Sequence, residues 1–228
     1  MVPAFLARIL RRRQPRPELD VQAAYALWAE TYPPCAHTPL MELEERAMLQ
    51  LLPTCAHQRV LDLGCGSGRY LRTLRAQGSR VAVGLDISPE MLARARSVGG
   101  GRLVRGDMSA LPFADVSFDL VVSGLAVGHL PELVGFLREV ARVTRRGGAL
   151  VYSDLHPDGA RAGWARTFRT ADGSEYAVPH HVHSRSDHER ASVAAGLEID
   201  KIVEPEVAPP HAWKGRPAAL IVRARRTR

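Results

Sequence analysis

Residues 60–68 read VLDLGCGSG, an apolar run interrupted only by Asp62 and followed by glycines at 64, 66 and 68. A helix-forming stretch, RYLRTLRAQG (69–78), comes next. This is a strand–turn–helix unit whose turn presents bare backbone N–H groups beside a helix start. The pattern repeats. RVAVGLD (80–86), RLVRGD (102–107), FDLVVSG (118–124) and ALVYSD (149–154) read as strands. Ser88-Pro89 caps a helix through Ser97, and residues 132–146 read as a helix ended by Gly147-Gly148. Alternation of helices with continuously apolar strands predicts an α/β fold, a parallel sheet covered on both faces.

The flanks follow other rules. Residues 20–32 place Tyr25, Trp28 and Tyr32 on one face of a helix that Pro33-Pro34 ends, and residues 39–52 form a second helix stopping at Pro53. Residues 155–184 hold Trp164, Phe168 and Tyr176 around the turn TADGS and read as an irregular or hairpin insert. Residues 185–195 read as a helix, and 197–204 and 218–225 as two closing strands. The expected organisation is a basic tail over 1–17 and a single domain over 18–228. That domain divides into a helical lid (18–57), a binding core (58–154), the insert (155–184) and a closing helix with strands (185–228).

The formal charge of +7 invites a nucleic-acid reading, but its placement argues against one. Residues 1–17 hold five arginines and no acid, and residues 214–228 hold Lys214 and five arginines and no acid. The body between is net acidic. Cys35, Cys55 and Cys65 have no metal-binding or disulfide spacing, which predicts a reducing, cytoplasmic setting. No apolar stretch reaches the length of a membrane span. The N-terminus places its arginines after its apolar residues, the reverse of a secretory signal. Its Arg8, Arg11, Arg12 and Arg13 suit peripheral contact with an anionic membrane surface. Arg223, Arg225, Arg226 and Arg228 fall along or just past the last expected strand, where charge would protect an edge.

The glycine loop is a poor pyrophosphate cradle. A dinucleotide fingerprint needs Gly or Ala at position 69, and this chain has Arg69. Asp86 and Asp107 end two further strands, where carboxylates accept from ribose hydroxyls and from an exocyclic amine. Ligands of open α/β sheets bind outside these strand ends. The ordered set suits a nucleoside bearing an amino acid.

VLDLGCGSGRY, GLDISPEML, RGDMSALPFADVSFDLVVSGLAVGHL and FLREVARVTRRGGALVYSDLHP resemble, in order, the motifs of class I S-adenosylmethionine-dependent methyltransferases, in the ubiquinone/menaquinone C-methyltransferase-like branch. The resemblance spans about residues 58–156. It implies a Rossmann-like seven-stranded sheet with an antiparallel last strand. It also implies S-adenosylmethionine as cofactor, with Gly64, Gly66 and Gly68 lining its methionine end and Asp62 supporting that loop. Asp86 would hold the ribose, Ile87 would pack on the adenine, and Asp107 with Met108 would meet its edge. Ser123 would lie beside the methionine moiety, and Tyr25, Trp28 and Tyr32 would close over the cofactor.

The expected activity is methylation, at carbon or oxygen, of a small organic molecule under a lid that includes Trp164 and Phe168. A base is needed only where the acceptor must lose a proton. His156, His181 and His183 are the acceptor-side candidates, against a structural role for the polar segment that holds them. No acid cluster fixes a metal site there, and none is expected. His129, in GHLPEL, reads as a loop–helix junction. The other readings are a nucleic-acid methyltransferase, a cofactor-binding partner subunit, and the same fold retooled for a non-methylating reaction.

Overall fold

The computed structural model describes residues 16–210 and 212–227. Nine strands and seven α-helices are described. The first two helices, α1 (Val21–Trp28) and α2 (Pro39–Leu51), precede the core. Asp20 and Thr38 cap them by accepting from Ala23 and Met41 N–H. The alternating core then runs β1 (Arg59–Leu63), α3 (Arg69–Ala76), β2 (Val81–Asp86), α4 (Pro89–Ser97), β3 (Arg102–Arg105), β4 (Phe118–Ser123), α5 (Val134–Val143) and β5 (Thr144–Leu155). A short helix, α6 (Pro157–Arg161), leads into the hairpin β6 (Arg166–Arg169) and β7 (Glu175–Val178). Helix α7 (Arg185–Ala194) and strands β8 (Leu197–Val203) and β9 (Ala219–Arg226) finish the chain.

The main sheet has seven strands in the order β3-β2-β1-β4-β5-β9-β8. The first five are parallel, and β9 runs antiparallel to both β5 and β8. Strand alternation sends neighbouring residues to opposite faces. Leu61, Val121 and Leu150 pack with Phe136, Leu137 and Val140 of α5 on one face. Val60, Leu120, Val122 and Val151 pack with Leu71 and Leu74 of α3 and Met48 of α2 on the other. Two covered faces explain why these strands carry apolar residues at successive positions such as Val60-Leu61 and Leu120-Val121-Val122.

Two expectations need correction. The helix expected over 132–146 is α5, which begins at Val134 and ends at Val143. Glu132 accepts from Val134 and Gly135 N–H and so starts it. At the other end Thr144 pairs with Phe118 while its hydroxyl turns back to the Val140 carbonyl. The strand thus absorbs the TRRGG segment, with a register shift between Phe118 and Leu120. The second correction concerns the C-terminal arginines. β9 is flanked on both sides, so Arg223 and Arg225 do not guard an edge. Both reach Asp200 of β8, at 2.7 and 3.1 Å. The membrane-contact expectation rests on Arg8, Arg11, Arg12 and Arg13, which lie outside the described residues. Among the described residues no helix is long and apolar enough to cross a membrane.

Candidate functional site

A cavity of about 1100 Å³ opens at the carboxyl ends of β1, β2 and β4, roofed by α1 and the β6–β7 hairpin. The glycine loop forms its floor. Gly66 adopts φ +52°, and a Cβ there would meet nothing within 4 Å, so its backbone faces open space. Gly64 has the opposite reason to be glycine: a Cβ would come within 2.6 Å of Ala126 Cβ. The Gly66 N–H donates to Asp86 Oδ2 at 2.7 Å, and the Ser88 N–H donates to Oδ1 at 2.9 Å. Asp86 therefore ties the loop after β1 to the start of α4. Burial raises its pKa, against the pull of these N–H donors.

Asp62 sits one residue from the end of β1, buried, in the cavity lining. Its Oδ2 has no hydrogen-bond partner. Burial pushes its pKa up to about 7, against the nearby charge of Arg69. Ile87 lies 39% exposed in the lining, beside Asp107 and Met108. Asp107 Oδ1 accepts from Ser109 N–H at 2.7 Å, which fixes its turn.

The roof is aromatic. Trp28 stacks on Phe168 at 5.0 Å and on Tyr25 at 5.5 Å, and meets Tyr32 edge-on at 4.8 Å. Trp164 also lines the cavity and leans on Trp213. Beneath this roof, α2 is anchored by Glu44, which is fully buried. Glu44 accepts from Arg69 Nη2, from the Tyr70 hydroxyl and from the Ser153 hydroxyl, at 2.9, 2.9 and 2.5 Å. The Ser153 hydroxyl in turn accepts from Leu125 N–H at 2.8 Å. One carboxylate thus joins α2, the start of α3 and the strand end at β5.

The structure gathers Asp62, Gly64, Gly66, Asp86, Ile87, Asp107, Met108, Tyr25, Trp28, Tyr32, Trp164 and Phe168 around one space. It leaves out Gly68, which caps α3 at φ +81° behind the loop. It also leaves out Ser123. That side chain is fully buried and donates to the Leu63 carbonyl at 2.9 Å, so it staples β4 to β1 instead of facing the cavity.

None of the three expected histidines lines the cavity. His156 caps α6, its Nδ1 accepting from Asp158 N–H, with Nε2 3.6 Å from Glu204. His181 is exposed. His183 is buried, its Nε2 donating to the Leu130 carbonyl at 3.0 Å. His181 and His183 leave because Pro179 and the α7 cap carry their segment away beneath the 3-10 turn Val127–His129, and His156 is held at the start of α6.

Beside His37, the histidine that reaches the cavity is His129. Its Nδ1 faces the Pro179 carbonyl at 3.1 Å, so that nitrogen carries the proton. Its Nε2 lies 2.9 Å from the Tyr25 hydroxyl and 3.0 Å from Arg166 Nη1. Burial first, then the Arg166 charge, pushes its pKa down to about 3, so it is neutral at any ordinary pH. Arg166, on β6, was not singled out by the sequence. Nothing local marks it; only the hairpin's return across the cavity mouth brings it to Tyr25 and His129.

Residues 61–152 match the methyltransferase-domain family. The malonyl-acyl-carrier-protein O-methyltransferase of Enterobacter lignolyticus (strain SCF1) is 37% identical over 144 residues, 62% of this chain and 57% of that protein. The demethylmenaquinone methyltransferase of Tropheryma whipplei (strain Twist) is 39% identical over 119 residues, 49% of this chain and 48% of that protein. The chain spans about half the length of these curated relatives. Among solved structures, an S-adenosylmethionine-dependent methyltransferase from Mesorhizobium loti superposes with a TM-score of 0.70 at 28% identity, covering 81% of this chain and 98% of that one.

Proposed function

We propose that this chain, which carries a class I S-adenosylmethionine-dependent methyltransferase domain, methylates a small organic acceptor held in the cavity above its glycine loop. The observation that carries the reading is the joint placement of the open Gly66 backbone, the unpartnered Asp62 Oδ2 and Asp86 around one space.

These residues fit the cofactor. Asp62 offers a buried oxygen with no partner, suited to the ammonium of an amino acid. Both Asp86 oxygens already take one N–H each, and a carboxylate oxygen has capacity for a second donor, as a ribose diol supplies. Ile87 offers exposed apolar area to an adenine face, and Asp107 with Met108 would border its edge. When bound, the cofactor supplies a methyl group on a positively charged sulfur.

The rest is the work of this chain. Methyl transfer is a displacement that depends on alignment and on exclusion of water. The Tyr25, Trp28, Tyr32 and Phe168 rings cover the site and exclude water. Glu44 holds α2, α3 and β5 in fixed relation, so the lid helices and the glycine loop keep one geometry. His129 is not placed to take a proton at neutral pH, because its Nε2 is already engaged and its pKa is far too low; His37 also lines the cavity.

Incubating the protein with S-adenosylmethionine labelled in its methyl group, and with fractionated small-molecule extract, tests the reading. A labelled small product is expected. Label appearing only in nucleic acid, or in nothing, would overturn it.

A further inference from the structure

One charged group in the cavity wall has no role in holding the cofactor as assigned above. Arg166 reaches in from β6, and its Nη1 donates to the Leu125 carbonyl and to the Tyr25 hydroxyl, each at 3.0 Å. The donors and acceptors resolve into a single chain. His129 Nδ1–H points to the Pro179 carbonyl, which leaves Nε2 to accept. The Tyr25 hydroxyl, 2.9 Å away, donates to Nε2 while accepting from Arg166. Three elements, α1, the 3-10 turn and the loop after β4, thus fix one end of the guanidinium.

The other end is free. Nε and Nη2 have no hydrogen-bond partner among the described residues, and neither is sealed from solvent. No described carboxylate lies within ion-pair distance of Arg166. Asp154 is the acid whose charge reaches it, yet Asp154 faces His180 and His188 at 3.8 Å. Burial also pushes the Asp154 pKa up to about 7, which removes part of its charge near neutrality. A guanidinium without a counter-ion, in a partly desolvated wall, with a clamped Nη1 and an open Nε/Nη2 edge, is a fork prepared for a planar anion.

We propose that the open edge of Arg166 is the subsite for a carboxylate on the methyl acceptor, so that the enzyme selects anionic over neutral acceptors. The proposal rests on the methyltransferase reading of this cavity. Tyr25 and His129 are positioning residues: they touch Arg166 and set its angle. A neutral His129 suits this task, because an imidazolium beside Arg166 would repel it and a carboxylate there would occupy the fork.

The cofactor itself carries a carboxylate, so the test separates the two sources. In the first arm, S-adenosylhomocysteine is titrated calorimetrically into wild-type protein and into Arg166→Gln and Arg166→Lys. Affinity within roughly two-fold of wild type in both variants is expected, and it also shows that they fold. A loss of about ten-fold or more in Arg166→Gln, with its thermal melt unchanged, would assign Arg166 to the cofactor and overturn the acceptor assignment. Failure of the wild type to bind S-adenosylhomocysteine would instead overturn the methyltransferase reading itself. In the second arm, protein loaded with S-adenosylhomocysteine is titrated with acetate, malonate and succinate, each beside its amide. Saturable binding of at least one acid, about ten-fold or more tighter than its amide and weakened about as much in Arg166→Gln, is expected. No saturable binding, equal binding of acid and amide, or binding untouched by Arg166→Gln would overturn the proposal.

Discussion

Glu44 and Arg69 form an ion pair of 2.9 Å in which the carboxylate is fully buried and the guanidinium nearly so. It joins α2 to the first residue of α3, just past the glycine loop. Arg69 is also the residue that breaks the dinucleotide fingerprint. The position that fits poorly beneath a pyrophosphate thus serves to tie α2 to the start of α3.

Glu44→Ala removes one partner and leaves Arg69 buried without its main counter-charge and the Tyr70 and Ser153 hydroxyls without their acceptor. A loss of about 3–5 kcal/mol is expected by urea denaturation, and Glu44→Gln, which keeps hydrogen-bonding capacity, should cost less. Equal effects of the two variants would show that charge is irrelevant at this junction.

The buried acids set a pH dependence. Asp62 and Asp154 have folded pKa values raised to about 7, against about 4 in an unfolded chain. The folded state holds their protons longer, so their contribution to stability is complete below pH ~4 and is lost as pH rises through ~7. His129, His180 and His188 are depressed to about 3, 3 and 4, so they oppose this below pH ~6.5 and are neutral in both states above it. The urea midpoint of ligand-free protein should therefore fall between pH 6.5 and 8, and Asp62→Asn should flatten part of that fall. A midpoint that rises over this interval contradicts the burial account of Asp62.

His156→Ala and His181→Ala should leave methyl transfer within roughly two-fold of wild type, because both side chains sit outside the cavity. Neither variant should change the shape of the pH–rate profile. A steep loss in either variant, in a labelled-methyl assay, would return a base to the mechanism.

Much of the core was legible because its strands are buried on both faces. Val60 and Leu61, or Val121 and Val122, serve opposite layers, and that double burial writes continuous apolar runs into the chain. The strand-end acids Asp62, Asp86 and Asp107 follow directly from those runs. What escaped depends on distant contacts. The α5–β5 boundary was hidden because Thr144 is claimed by pairing with Phe118, which overrides the glycine stop three residues later. Ser123 occupies a strand end but turns toward Leu63, and nothing in its neighbours marks that choice. His129 and Arg166 come together across 37 residues of chain and meet Tyr25 from more than 100 away. Their partnership exists only once the hairpin folds back over the sheet, while the more conspicuous histidine string at 180–188 is carried past the cavity.

The central claim is that the strand-end acids and the open glycine loop hold S-adenosylmethionine. The most direct measurement is a calorimetric titration of S-adenosylhomocysteine into wild-type protein and into Asp86→Ala. The account predicts saturable one-to-one binding in the wild type and a loss of about fifty-fold or more in the variant, whose carboxylate would serve both the ribose and the Gly66 N–H. Binding of equal strength in the two proteins, or none in the wild type, would contradict it.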